Sequence, residues 1–154
     1  MTGRGIAVAS VHLCLVASLT LKLQYDRAVL PHGWAKVAPV DPSLPLRGRY
    51  VSLVLDVPWT GGLTPAGRTV GLRVEDRLVI AEPEERGIPA EVGAGRARLT
   101  HPIAFFLPET AADPSRRRPG EELWVEVTLV PGALPRPLRL AVKRGGQLDI
   151  LAVE

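Results

Sequence analysis

A chain of 154 residues has room for one domain and hardly a second. Its 15 glycines and 15 prolines argue against a long helical bundle or a coiled coil, and its single cysteine excludes a disulfide scaffold and any multi-cysteine metal site. The net charge of +3 suggests nucleic acid, but the arginines are mixed with acids, as in Arg73, Glu75, Asp76 and Arg77.

The one basic run, Arg116-Arg117-Arg118, lies between Pro114 and Pro119, is followed by Glu121-Glu122, and has no interleaved aromatics. A nucleic-acid surface wants a continuous basic stripe, so no nucleic-acid partner is expected. The run reads as a solvated loop, with anionic lipid head groups as the other partner it would suit.

Residues 6–21, IAVASVHLCLVASLTL, carry no charge, and their polar groups are His12, Cys14 and the Ser and Thr hydroxyls. Sixteen helical residues span about 24 Å, and Lys22-Leu23 extend this to about 27 Å with the Lys22 ammonium reaching the interface. The stretch is thus expected to be a short uncleaved transmembrane anchor (residues 1–23) that meets the lipid bilayer through residues 6–23. Residues 24–154 then form a separate domain.

Three other readings compete with the anchor. A cleaved signal peptide would want small residues after the apolar core, and Val16-Ala17-Ser18 fits weakly because apolar sequence continues past it. A lipoprotein box wants a small residue before the cysteine, and Leu13 precedes Cys14. A buried helix would be apolar along one stripe, and this segment is apolar all round. Arg4 on one side and Lys22 and Arg27 on the other leave orientation open. His12 is either a functional polar group within the span or an imidazole with a helix–helix or interfacial partner.

Beyond Gln24, Pro31, Pro39, Pro42 and Pro45 exclude a single helix. Residues 50–57 alternate, with Val51, Leu53, Leu55 and Val57 on one face, as in a half-buried strand. Residues 69–74 and 77–81 give two short strands, residues 98–107 another with Pro102 near its start, and residues 123–129 a further alternating one. Residues 83–92 hold at most one turn of helix. Residues 137–153 read as a hairpin around Gly145-Gly146. A three-residue loop, Arg144-Gly145-Gly146, would pair Val142 with Leu148, Leu140 with Ile150 and Leu138 with Ala152, collecting the apolar residues on one face. A two-residue turn would pair Val142 with Asp149. The expected fold is mostly β: an N-terminal transmembrane helix followed by a compact antiparallel β barrel or sandwich-like domain.

Residues 39–53, PVDPSLPLRGRYVSL, resemble the signature of the GDYXXLXY family of bacterial membrane-anchored proteins. Pro39, Asp41, Pro42, Arg47, Gly48, Tyr50 and Leu53 match its P-x-D-P and R-G-D-Y-x-x-L positions. Arg49 stands where that family has Asp, and Leu55 where it has Tyr. Residues 102–109, PIAFFLPE, are similar to a second family segment through Phe106, Pro108 and Glu109. The resemblance implies a membrane-tethered, extracytoplasmic β domain, accessory to a membrane partner such as a multi-pass protein, and implies no reaction. Within it, Gly48 would give the chain a left-handed step into the strand and Arg47 would pair with Asp41.

Other chemistry has less support. Ser43, Gly48 and Lys143 follow the order of a membrane-anchored Ser/Lys hydrolase, without that family's motif around the serine. His32 and His101 lie in no cluster at metal-ligand spacing, His101 with Glu109 being the one conceivable pair. Gly61-Gly62 lacks the helix, lysine and hydroxyl of a phosphate loop. Trp34, just past the anchor, is expected at the membrane interface. Trp124 opposes the apolar face of its strand and is either covered or exposed for binding. No cofactor or metal is expected. The leading reading is a membrane-anchored, non-enzymatic interaction module. The alternatives are a small-molecule or lipid-binding β module with a pocket of Trp124, Phe105 and Phe106, and the hydrolase.

Overall fold

A computed structural model describes residues 3–40, 49–62, 68–107 and 118–151. The chain divides into two units between Leu30 and Pro31. The first holds helix α1 (Gly3–Val29). The second holds strands β1 (His32–Val40), β2 (Arg49–Pro58), β3 (Arg68–Glu75), β4 (Leu78–Pro83), β5 (Ile88–Gly93), β6 (Arg96–Leu99), β7 (Ile103–Leu107), β8 (Glu122–Thr128), β9 (Arg136–Arg144) and β10 (Gln147–Ile150).

At 27 residues α1 is about 40 Å long. It runs six residues past the expected end at Leu23, because nothing between Leu23 and Pro31 breaks a helix. The Leu30 amide still donates to the Asp26 carbonyl, and Pro31 then ends the helix. The segment from Gly5 to Val29 is long and apolar enough to cross a membrane. Three of its polar side chains bond their own backbone: Ser18 donates to the Leu15 carbonyl, Thr20 to the Val16 carbonyl, and His12 Nδ1 lies 3.0 Å from the Val8 carbonyl oxygen. Such back-bonding lets a helix carry hydroxyls and an imidazole without a partner helix.

In the second unit, β1, β4, β3, β5, β6 and β2 close into a six-strand barrel, and β7–β10 extend the same sheet. Pairing between the described strands is antiparallel except where β1 meets β4 at Trp34 and Leu78. Strand β1 is shared by three neighbours, β8, β2 and β4. One apolar cluster fills the interior. The alternation read from the sequence supplies much of it: Val51, Leu53, Leu55 and Val57 from β2, and Leu123, Val125 and Val127 from β8, all point inward. Ala35 and Val37 of β1, Val70 of β3, Val79 and Ala81 of β4, and Leu140 of β9 complete it. Each fully buried Val or Leu contributes about 1.5–3 kcal/mol.

The fold adds to or departs from the sequence reading at four places. The proline-punctuated stretch after Gln24 contains β1, whose Pro39 lies two residues beyond the last β8 partner, Val37, where one side of the strand is free. The expected helical turn at 83–92 contains β5, held by β3 on one side and β6 on the other. The strand expected over 98–107 is two strands, β6 and β7, broken at 100–102, and each pairs with a different part of β2.

The fourth concerns the hairpin. It has a two-residue turn that pairs Arg144 with Gln147 and Val142 with Asp149. Gly145 (φ 52°) and Gly146 (φ 93°) both take the left-handed conformations that match hairpin twist. The single-face argument for a longer loop fails because β10 is an edge strand with no buried face: Asp149 and Ile150 are both exposed.

Candidate functional site

The two segments that carry the family resemblance meet in space. Strand β7 pairs with the start of β2, setting Tyr50 opposite Phe106 and Leu53 opposite Ile103. Pro39 of β1 lies opposite Leu53 on the other side. Alternation sorts these residues by role. Leu53 and Phe105 face the core, while Tyr50 and Phe106 face outward. Phe106 is 74% exposed, and its ring lies 6.2 Å from that of Tyr50 in a tilted arrangement. Sixty residues apart in sequence, roughly, the two rings form one aromatic pair at the last strand of the sheet. Asp41, Pro42, Arg47, Gly48, Pro108 and Glu109 lie outside the described residues, as do Ser43 and Ala152.

The outward face of β1, β2, β8 and β9 is a lattice of charges and tryptophans. Lys36 pairs with Glu122 at 2.6 Å, Arg139 with Glu126 at 2.6 Å, and Arg96 with Asp56 at 2.7 Å. The Trp124 indole N–H donates to Glu122, and Lys143 Nζ sits 4.8 Å from the Trp124 ring centre, a cation–π contact. The Lys36 hydrogen bond, helped by the Trp124 indole and opposed by burial, holds the Glu122 carboxyl below the usual carboxylate range. Glu121 is likewise held low, first by the Arg118 amide and then by Arg144. The Glu126 hydrogen bond raises Arg139 above its ordinary value.

This lattice settles several candidates. Trp34, expected at a membrane interface, is 7% exposed within the β domain, and its amide donates to the Arg77 carbonyl. Trp124 is half-buried under Lys143. Phe105, Phe106 and Trp124 line no common pocket, because Phe105 points into the core and the other two point away from it. Lys143 is occupied with Trp124 rather than set in an apolar pocket of its own. Among the described residues, no group of three His, Cys, Asp or Glu could hold a metal.

The sequence reading overlooked a cleft of about 720 Å³ in the β domain. Val70 and Leu72 of β3, Ile88 of β5, and Leu129, Val130 and Leu134 after β8 give it an apolar lining. Five prolines, Pro31, Pro83, Pro89, Pro131 and Pro135, stand in its walls. Glycine shapes the loop on one side: a Cβ on Gly87 would collide with the backbone carbonyl of Val70, so only glycine lets residues 84–87 lie against β3. Thr69 fixes that loop by donating to the Glu84 carbonyl at 2.6 Å. The opposite side is tied by the Leu129 amide, which donates to the Pro31 carbonyl.

The polar groups in the cleft lining are Glu82, Glu84, Arg86 and His101. Arg73 neutralises Glu82 at 3.0 Å. The Glu84 carboxylate and the Arg86 guanidinium make no ion pair among the described residues. The sequence signal for this site was a pair of proline-flanked loops, EPEERGIP and VPGALP, which read only as turns because nothing in either says that they face each other. No known protein family, curated protein or solved structure matches the chain.

Proposed function

We propose that the protein is a single-pass membrane protein whose β domain lies outside the cytoplasm and works as a non-enzymatic interaction module for a membrane or envelope partner. The resemblance to GDYXXLXY proteins leads to the same reading. α1 supports the tether by its length and uninterrupted apolarity. The observation that carries the interaction role is Phe106. A large aromatic ring left 74% exposed, tilted against Tyr50 and set on the last strand of a sheet, is what a protein contact uses as an anchor. Its neighbours in the ladder belong to the signature positions.

Three experiments test this. Alkaline carbonate should leave the protein in the membrane pellet; release to the supernatant refutes the tether. Protease added to spheroplasts should digest the β domain; protection relieved by lysis reverses the topology. In mild detergent the full-length protein should co-purify with a multi-pass membrane protein and Phe106→Asp should lose it. A folded wild-type protein that purifies with no specific companion refutes the interaction role.

A further inference from the structure

We propose that the cleft between the 84–89 loop and the 129–135 loop binds a single-chain phospholipid with a zwitterionic phosphate–amine head group, taken from the bilayer that the protein is tethered to. This rests on the tether reading above and adds a ligand to it. Four observations lead there.

The first is size. About 720 Å³ falls within the range of small-molecule sites, which run from roughly 300 to 1,000 Å³. The second is wall chemistry. Proline has no amide N–H, so Pro31, Pro83, Pro89, Pro131 and Pro135 remove five backbone donors from the walls. A peptide adding to a sheet edge needs such donors, and a polar metabolite needs them too. An alkyl chain needs none, and it gains from covering the partly exposed Leu72, Ile88, Val130 and Leu134.

The third is charge complementarity. Glu82 is already neutralised by Arg73, which leaves Glu84 and Arg86, two residues apart on one loop, as a carboxylate and a guanidinium without ion partners among the described residues. A guanidinium suits phosphate through paired N–H donors, and a carboxylate suits an ammonium. A head group carrying both charges matches both; a simple anion or cation would meet one of them with the wrong sign. The fourth is continuity. Pro31 lines the cleft and follows the end of α1 by two residues in the chain.

The test uses the full-length protein in phosphatidylethanolamine–phosphatidylglycerol vesicles. These hold a trace of lysophosphatidylethanolamine with a photoactivatable diazirine in its chain. After irradiation, labelled peptides are mapped by mass spectrometry. The expected result is labelling of α1 and of residues 86–89 and 129–135. Ile88→Trp, which fills the cleft, should lower domain labelling at least fivefold and leave α1 labelling unchanged. Leu134→Trp, at a position 39% exposed, is the second variant should the first fail to fold.

Labelling of α1 with none in the domain overturns the cleft and leaves the tether standing. Domain labelling that survives either folded Trp variant also overturns it. Absence of label from α1 overturns the tether instead. A monoacylglycerol probe of the same chain should label the domain several-fold less, and Arg86→Glu should remove that difference. Equal labelling by the two probes in the wild type refutes the head-group assignment.

Discussion

Phe105 and Phe106 are consecutive residues of β7 with opposite fates, and truncating each to alanine tests the placement of that strand. Phe105 is 8% exposed and Phe106 74%. A phenylalanine presents about 200 Å² of surface, so folding buries about 185 Å² of the first ring and about 50 Å² of the second. At about 25 cal/mol/Å², and allowing for the methyl that alanine retains, Phe105→Ala should cost about 4 kcal/mol and Phe106→Ala about 1 kcal/mol. In a domain of this size, 1 kcal/mol moves the melting temperature by about 3–5 °C. The expected losses are then about 12–20 °C and about 3–5 °C. Thermal melts of the full-length protein in nanodiscs, followed by circular dichroism, provide the comparison. Equal losses, or a larger loss for Phe106→Ala, would refute the reasoning. A one-residue slip of β7 against β2 would exchange the two rings between faces, so that outcome would also dissolve the Tyr50–Phe106 pair.

Three further outcomes follow from the packing. Gly87→Ala drives a methyl into the Val70 carbonyl and should cost about 2 kcal/mol or more; urea midpoints within error of wild type would show that the 84–89 loop lies elsewhere. Gly146→Val forces a β-branched residue to φ 93° and should cost about 1–3 kcal/mol, while Gly145→Asn should be nearly neutral; the reverse ranking in denaturant titrations would sink the two-residue turn. Glu122→Gln concerns pH. Because Lys36 and Trp124 hold Glu122 below its ordinary 4.5, the unfolded chain takes up that proton first as pH falls. The carboxylate's contribution is therefore present above that value and disappears as pH drops through the lower folded value. With both side chains more than a third exposed, it is worth only about 0.5–1 kcal/mol near neutrality. The gap between wild type and Glu122→Gln should narrow as pH falls below the ordinary carboxylate value, and a gap independent of pH would contradict the pairing.

Legibility from sequence followed local simplicity. The 6–23 stretch and the alternating runs at 50–57 and 123–129 each state their environment in one segment, and α1, β2 and β8 stand there. What stayed hidden depended on partners far along the chain. β1 reads as broken by prolines, yet β8 and β2 supply hydrogen bonds that override the breakers. β5 contains Pro89 and reads as a loop, but it is held between two strands. Trp34 is coded like an interfacial tryptophan and is buried because β1 occupies the middle of a sheet. Of the site, Tyr50, Leu53 and Phe106 were marked by their pattern. That Tyr50 and Phe106 touch, and that two proline-rich loops enclose a cleft, are properties of pairing that no single segment states.

The threefold sharing of β1 has a consequence for how the molecule is made. β1 follows the helix directly, but its pairing with β8 joins His32 to Thr128, about a hundred positions later. At roughly 5–20 residues per second, a ribosome needs about 5–20 s to supply that partner. During this interval β2 can zip onto β1, while the other margin of β1 stays unsatisfied and open to wrong pairings. So distant a pairing raises the contact order of the whole β domain, as in folds that complete in milliseconds to seconds once the chain is whole. The order of assembly is thus constrained by β1: the first strand synthesised is sealed only when β8 emerges, and a nascent chain stalled before residue 122 carries an adhesive seam.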